Sequence, residues 1–300
     1  MIPAPPPPTL HLPYAPGPFR MAMGLTVIPE AMWIEIDSHY AAHLAQRKSL
    51  LDHRRADVLA ALPDTEEARR ALLASVAAHL SAGFPHWFHR DGEAIENLLT
   101  GERHVLRDPA DDPLAVVGRL VQEDFCLLRQ EPDGLRLIAA VLCFPSRWRL
   151  ADKIGRLLGP IHAPVPHYEA RLAQPVDRFL ARLAPDRIAM RFNWSIHDDD
   201  ALFQPTGHAR DDHVTAVTPD NAGEALFLRV ERQTFRRLPD AAGTIAFGIR
   251  THVTPLHIIA GIPGEAARLA SAVAALPAET QRYKGLLPFR ATLLAYLGSV

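Results

Sequence analysis

A chain of 300 residues with 48% hydrophobic content can bury a sizeable core, which excludes general disorder and allows one large domain or two ordinary ones. Its 32 basic and 34 acidic residues leave a formal charge of -2, so no global field favours condensation on a phosphate backbone, and nucleic acid is not the expected partner. The two cysteines, Cys126 and Cys143, are too few for a disulfide framework. No run approaches the roughly 18 apolar residues of a membrane helix, and the start MIPAPPPPTLHLPY lacks the basic and apolar regions of an export signal, so a reducing cytoplasm is the expected compartment.

Residues 1–20 are proline-rich, with Pro5 to Pro8 followed by Pro13, Pro16 and Pro18, and read either as an extended arm wrapping the domain or as a ligand for a proline-binding module. From Asp37 to Leu62 the apolar positions Leu44, Leu50, Leu51, Val58 and Leu59 fall on one helical side, with Pro63 as the stop. Asp64 and Glu67 form a capping-box signal before Ala71, Leu72, Val76 and Leu80, which predicts a helix from about Thr65 that ends at Gly83 and Pro85. A third short helix around Glu93–Leu99 completes a helical N-terminal region, residues 21–110, packed on the remainder of the chain.

From Ala115 the pattern turns to strand. VQEDFCLLRQ and LRLIAAVLCF flank the turn Glu131-Pro132-Asp133-Gly134 as a hairpin closed by Pro145. Residues 150–184 are helical pieces broken by Pro160, Pro164, Pro166 and Pro175. Strands come next at Ile188–Ser195, Leu226–Leu238 and Thr244–Val253, the last two joined by a turn over Pro239 to Gly243, and a final helix covers Glu265–Ala275. The order ββ, short helices, βββ predicts an α+β fold. Its core, residues 111–300, would be a PAS-like antiparallel sheet with short helices over one face, integrated with the N-terminal region into one domain.

The chain has no GxGxxG after a strand, no P-loop, no HExxH, no GxSxG and no CxxC, so the usual nucleotide, protease and hydrolase readings lose their support. His162, in LLGPIHAPVP, ends a short helix between prolines. A rigidly held imidazole there suits an axial haem ligand, and a capping or surface histidine is the alternative. Cys143 is either a thiolate ligand or a small hydrophobe in a strand. Glu123 and Asp124 could hold a cation or move a proton, or they cap a strand and pair with basic side chains. In the next strand, alternation sends Arg191 and Asn193 to one face and Trp194 to the other; Arg191 suits a haem propionate or an exposed face. Glu231 lies among four arginines, and alternation groups it with Arg229 and Gln233. A small ammonium substrate would explain it, but on the residues alone a cross-strand salt-bridge ladder is the preferred reading.

Taken together, VQEDFCLL, FPSRW, KIG followed by IHAPVPHY, RFNWSI, LRVERQTFRRLP, IRTHVTPL and YKGL resemble the haem-dependent oxidative N-demethylase family, which includes the dimethylamine monooxygenase oxygenase subunit. The resemblance runs in order from about Pro18 to about Leu286. It implies a PAS-like haem-binding core that oxidises a small secondary amine to a primary amine and formaldehyde with O2. Electrons would come from a separate NADPH-dependent reductase carrying flavin or iron–sulfur centres. On the matched segments, the resemblance implies His162 as the iron ligand, with Lys153, Arg191 and Arg250 also holding the haem, and Glu231, Arg232 and Asn193 as the catalytic set. His252 stands in IRTHVTPL where relatives tend to have tyrosine, which implies a pocket different from theirs. A haem-binding PAS-like sensor or non-catalytic interaction protein is the competing reading.

Overall fold

The computed structural model describes residues 2–207 and 216–300. Among the described residues there are ten strands: β1 (Thr26–Ile28), β2 (Leu59–Ala61), β3 (Phe88–Asp91), β4 (Ala94–Asn97), β5 (Glu102–Val105), β6 (Asp124–Glu131), β7 (Gly134–Val141), β8 (Ile188–His197), β9 (Phe227–Arg237) and β10 (Thr244–Pro255). Seven form one antiparallel sheet in the order β1-β8-β9-β10-β6-β7-β2, and β3, β4 and β5 form a small second sheet. With the helices packed on them, this is the mixed α+β architecture that the alternating and helical periodicities predict. The hairpin turns at Pro132-Asp133, as the turn chemistry requires.

The local pattern fails in several places, the first of them where a distant partner competes. The helix expected from Asp37 to Leu62 stops at His53, and after a short turn at Arg55–Val58 the chain extends as β2. There Leu59 to Ala61 pair with Val141 to Ala139, satisfying the backbone of an edge that would otherwise be open. The helix expected at Glu93–Leu99 is β4 instead, turned against β3 through Gly92 (φ 55°). The capping box does not form: the helix spans Glu66–Gly83 after Thr65, and the Thr65 hydroxyl turns back to donate to the Leu62 carbonyl. Residues 113–120 are a helix capped by Asp112, which accepts from Leu114 N at 2.8 Å, so the strand character begins only at Asp124. The helix Glu265–Ala274 is not the last; Ala278–Tyr283 and Arg290–Leu297 come after it.

The pleat divides the main sheet into two covered faces. On one, Phe125 and Ala246 meet Trp33, Leu72 and Val76 of the N-terminal region, while Leu228 and Val230 meet Leu256 and Leu269 of the C-terminal helices. On the other, Cys126, Leu128 and Ile245 pack with Leu150, Leu158 and Leu180 of the short helices after β7. This second face carries the candidate site.

One buried ion pair ties the N-terminal helix to the sheet. Asp124 accepts from Cys143 N at 2.6 Å, from Phe144 N at 2.8 Å and from Arg47 Nη1 at 2.6 Å, and Arg47 also donates to the carbonyls of Gly118 and Glu123. Glu123 accepts from Glu35 N at 2.9 Å. These carboxylates organise backbone and arginine, as the plainer sequence reading has it. Both members of the Arg47–Asp124 pair are fully buried, so Asp124→Asn leaves the guanidinium charge uncompensated. It is expected to cost about 3–5 kcal/mol, read as a lowered urea-unfolding midpoint; a shift worth under about 1 kcal/mol would show the pair to be dispensable.

Candidate functional site

Register brings the polar residues of β8 and β9 together. Asn193 pairs with Glu231 and Arg191 with Gln233, so all four side chains project from the same face as Cys126 and the short helices. Glu231 is buried, and its Oε2 accepts from Gln233 Nε2 at 2.8 Å and Asn193 Nδ2 at 3.2 Å. Lys284 closes the edge of β8, donating to the Trp194 carbonyl and reaching Asn193 Oδ1 at 3.4 Å. Burial pushes the Lys284 ammonium down to about 8 against the opposing pull of Glu231.

Two further cations share this charge. Burial lowers the pKa of Lys153, with Cys126 and Glu231 opposing; it also lowers that of Arg191, with Glu231, Tyr168 and Tyr283 opposing. Lys153 Nζ sits 4.1 Å from the centre of the Trp148 ring. Arg191 Nε and the Tyr168 hydroxyl are buried and have no hydrogen-bond partner among the described residues. Such atoms are costly unless something else meets them.

His162 is the last residue of the helix Leu158–His162, where the prolines of LLGPIHAPVP keep the helix short. Its Nδ1 lies 2.8 Å from the Leu158 carbonyl, which can only accept, so Nδ1 carries the hydrogen and Nε2 holds a lone pair. The ring stacks on Tyr168, centroids 4.4 Å apart and planes 13° apart. Burial first, then Lys153 and Arg191, hold its pKa at about 4 against the Leu158 hydrogen bond, so the imidazole is neutral near pH 7.

The structure thus brings together His162, Lys153, Arg191, Asn193 and Glu231 on one face. Arg232 and Arg250, grouped with them in the sequence, lie on the opposite face because each is one pleat step away from a residue of the site's face. Arg232 Nε reaches Glu35 Oε1 at 3.2 Å and its Nη atoms bond the carbonyls of Met32 and Trp33. Arg250 Nη2 reaches Asp37 Oδ2 at 2.5 Å. Cys143 packs in the N-terminal core, where burial pushes its thiol up to about 12, so the thiolate reading finds no support. His252 also faces away from the site, toward Glu35.

Sequence reasoning missed Tyr168, Tyr283 and Lys284. The signal available was their presence in IHAPVPHY and YKGL, two of the segments that carry the resemblance. YKGL is held by its glycine: Gly285 has φ 66°, and a Cβ added there would lie 2.7 Å from Arg147 Nη1 of the FPSRW segment. A family model described as haem-dependent oxidative N-demethylase, alpha subunit-like, matches residues 24–294, a span that takes in every strand of both sheets, and the chain belongs to that family.

Proposed function

We propose that this chain is the haem-binding, amine-oxidising subunit of an oxidative N-demethylase, with the haem held on the His162 face of the sheet. The observation that carries the reading is one covered face with a neutral histidine, its Nε2 lone pair available, and a buried carboxylate, Glu231. The surroundings fit the group. Arg191 and Lys153 offer cations to its carboxylates, the unpartnered Arg191 Nε and Tyr168 hydroxyl would gain acceptors, and Phe235, Phe247 and Ile161 supply apolar walls. When bound, haem supplies the activation of O2 that no side chain provides. Its family membership supports haem dependence, and the PAS-like description of residues 111–300 belongs to the same proposal, as does the integration of the arm and residues 21–110 with that core.

The chain's own residues would bind and orient the amine. A secondary amine is protonated near neutral pH, and Glu231, fixed by Gln233 and Asn193, meets it with a buried negative charge. Lys284, with its lowered pKa, is placed to hold or release a proton beside the Asn193 side chain. The net reaction takes a methyl-bearing secondary amine, O2, two electrons and two protons to the primary amine, formaldehyde and water. Hydroxylation of the N-methyl carbon gives a carbinolamine that breaks its C–N bond. No electron-carrying motif appears in the sequence, so a separate NADPH-dependent reductase with flavin or iron–sulfur centres would supply the electrons.

The test is the absorption spectrum of the purified protein with added haem, followed by formaldehyde assay with dimethylamine, NADPH and a ferredoxin-type reductase. A stoichiometric Soret band with amine-dependent formaldehyde is expected. A Soret band without turnover across a panel of small secondary amines favours the sensor reading, and absence of both overturns the proposal.

A further inference from the structure

The opposite face of the sheet carries a second cluster that the haem-face site does not use. His252 of β10, Glu35 in the segment before the helix Tyr40–His53, and His11 of the proline-rich arm place ligand atoms within 4.8 Å of one another. Glu35 Oε2 is 3.0 Å from His252 Nε2, and Glu35 Oε1 is 3.4 Å from His11 Nε2. A tetrahedral ion bound at 2.0–2.1 Å holds neighbouring donors about 3.4 Å apart; the two contacts fall on different Glu35 oxygens, so one donor atom per residue spans up to 4.8 Å and the set must contract to bind. His11 Nε2 is buried and makes no hydrogen bond among the described residues, so its contact with Glu35 lacks hydrogen-bond geometry. The two imidazoles meet edge to face at 4.8 Å, and Phe192 packs on His11 from the other side, so the rings are positioned by packing as well as by the carboxylate.

Arg232, 3.2 Å from Glu35 Oε1, works against a second cation. Glu123 lies beside Glu35, fully buried, with its Oε1 accepting from Glu35 N and its Oε2 without a partner among the described residues. A cavity of about 220 Å³ lined by Pro6, Thr9, Glu35, Arg232 and His252 adjoins the cluster, leaving room for a water in a fourth position.

We propose that His11, Glu35 and His252 form a two-histidine, one-carboxylate site for a first-row divalent cation of the zinc class, which clamps the N-terminal arm onto the sheet. Borderline nitrogen and carboxylate donors with three protein ligands suit Zn²⁺ over Ca²⁺ or Mg²⁺. Without the ion the arm is held before residue 11 by Ser38 N to the Pro6 carbonyl at 2.8 Å and Trp87 Nε1 to the Pro3 carbonyl at 2.7 Å, and after it by Arg268 Nη2 to the Leu12 carbonyl at 2.6 Å and the Tyr14 hydroxyl to Glu265 Oε2 at 2.9 Å. With it, residue 11 is joined to residue 252 by two coordinate bonds. The site is independent of haem, and its test does not read amine oxidation.

The experiment is equilibrium dialysis of untagged, full-length protein, as purified and cleared of loose metal with a chelator, against buffered Zn²⁺, with elemental analysis of zinc per chain. One zinc per chain is expected, with slower proteolysis of the arm and a raised Tm. His11→Ala, on the arm and outside the main core, is expected to weaken binding about a hundredfold or more, the share of one ligand in a structural zinc site's binding energy, and to abolish both protections. His252→Gln should do the same, and His162→Ala should bind zinc normally, which separates this site from the haem ligand. No saturable zinc, or full zinc retained in folded His11→Ala, overturns the proposal.

Discussion

Glu231→Gln is expected to take up haem like the parent chain and to lose amine binding by more than about a hundredfold. The substitution keeps the shape of the side chain, and the amide oxygen can still accept from Gln233 Nε2 and Asn193 Nδ2, so the local network survives while the negative charge goes. A protonated amine brought to that buried position would then be an uncompensated charge, and losing one partner of such a pair costs about 3–5 kcal/mol, or two to three decades or more in Kd. The measurement is a titration of the amine-induced change in the haem spectrum, with formaldehyde yield beside it. Near-normal affinity and yield would reduce Glu231 to a member of a polar cross-strand ladder.

His162→Ala is expected to abolish stoichiometric haem binding while the chain stays folded. The ring is half-buried at the end of a five-residue helix, and its contacts are the Leu158 carbonyl and the Tyr168 ring, so removing it opens little of the core. What it removes is a neutral imidazole on this face whose Nδ1 is fixed by the Leu158 carbonyl, the arrangement that orients an iron ligand. The Soret band is the readout, with far-UV circular dichroism and Tm as controls. Added imidazole should restore part of the band by occupying the space that the side chain leaves. An undiminished Soret band in the variant alone would remove His162 from the role.

Much of the site was legible because strand alternation is a local property. The period of two in RFNWSI and LRVERQTFRRLP puts Arg191 with Asn193, and Glu231 with Arg229 and Gln233, before any fold is known. Arg232 and Arg250 show the opposite failure. They sit in the same matched segments as site residues, but sharing a segment does not mean sharing a face, and the pleat turned them toward Glu35 and Asp37. The position of His162 at a helix end followed from its prolines, whereas the Nδ1 bond and the stack on Tyr168 depend on how residues 158–168 fold back on themselves.

Local reading of the chain sufficed for the β6–β7 hairpin, the strands around Asn193, Glu231 and Arg250, the helix from Glu66 and the family, since periodicity, turn residues and ordered motifs are all read over short stretches. Long-range packing settled the rest: Leu59–Ala61 leaves a helical pattern for the edge of β7, and Lys284 meets Asn193. It also set His11 against Glu35 and His252 across the sheet. Each of those outcomes rests on a hydrogen bond, ladder or ion contact made by residues far apart in the chain. Its energy comes from the partner, and no local preference encodes where that partner will be.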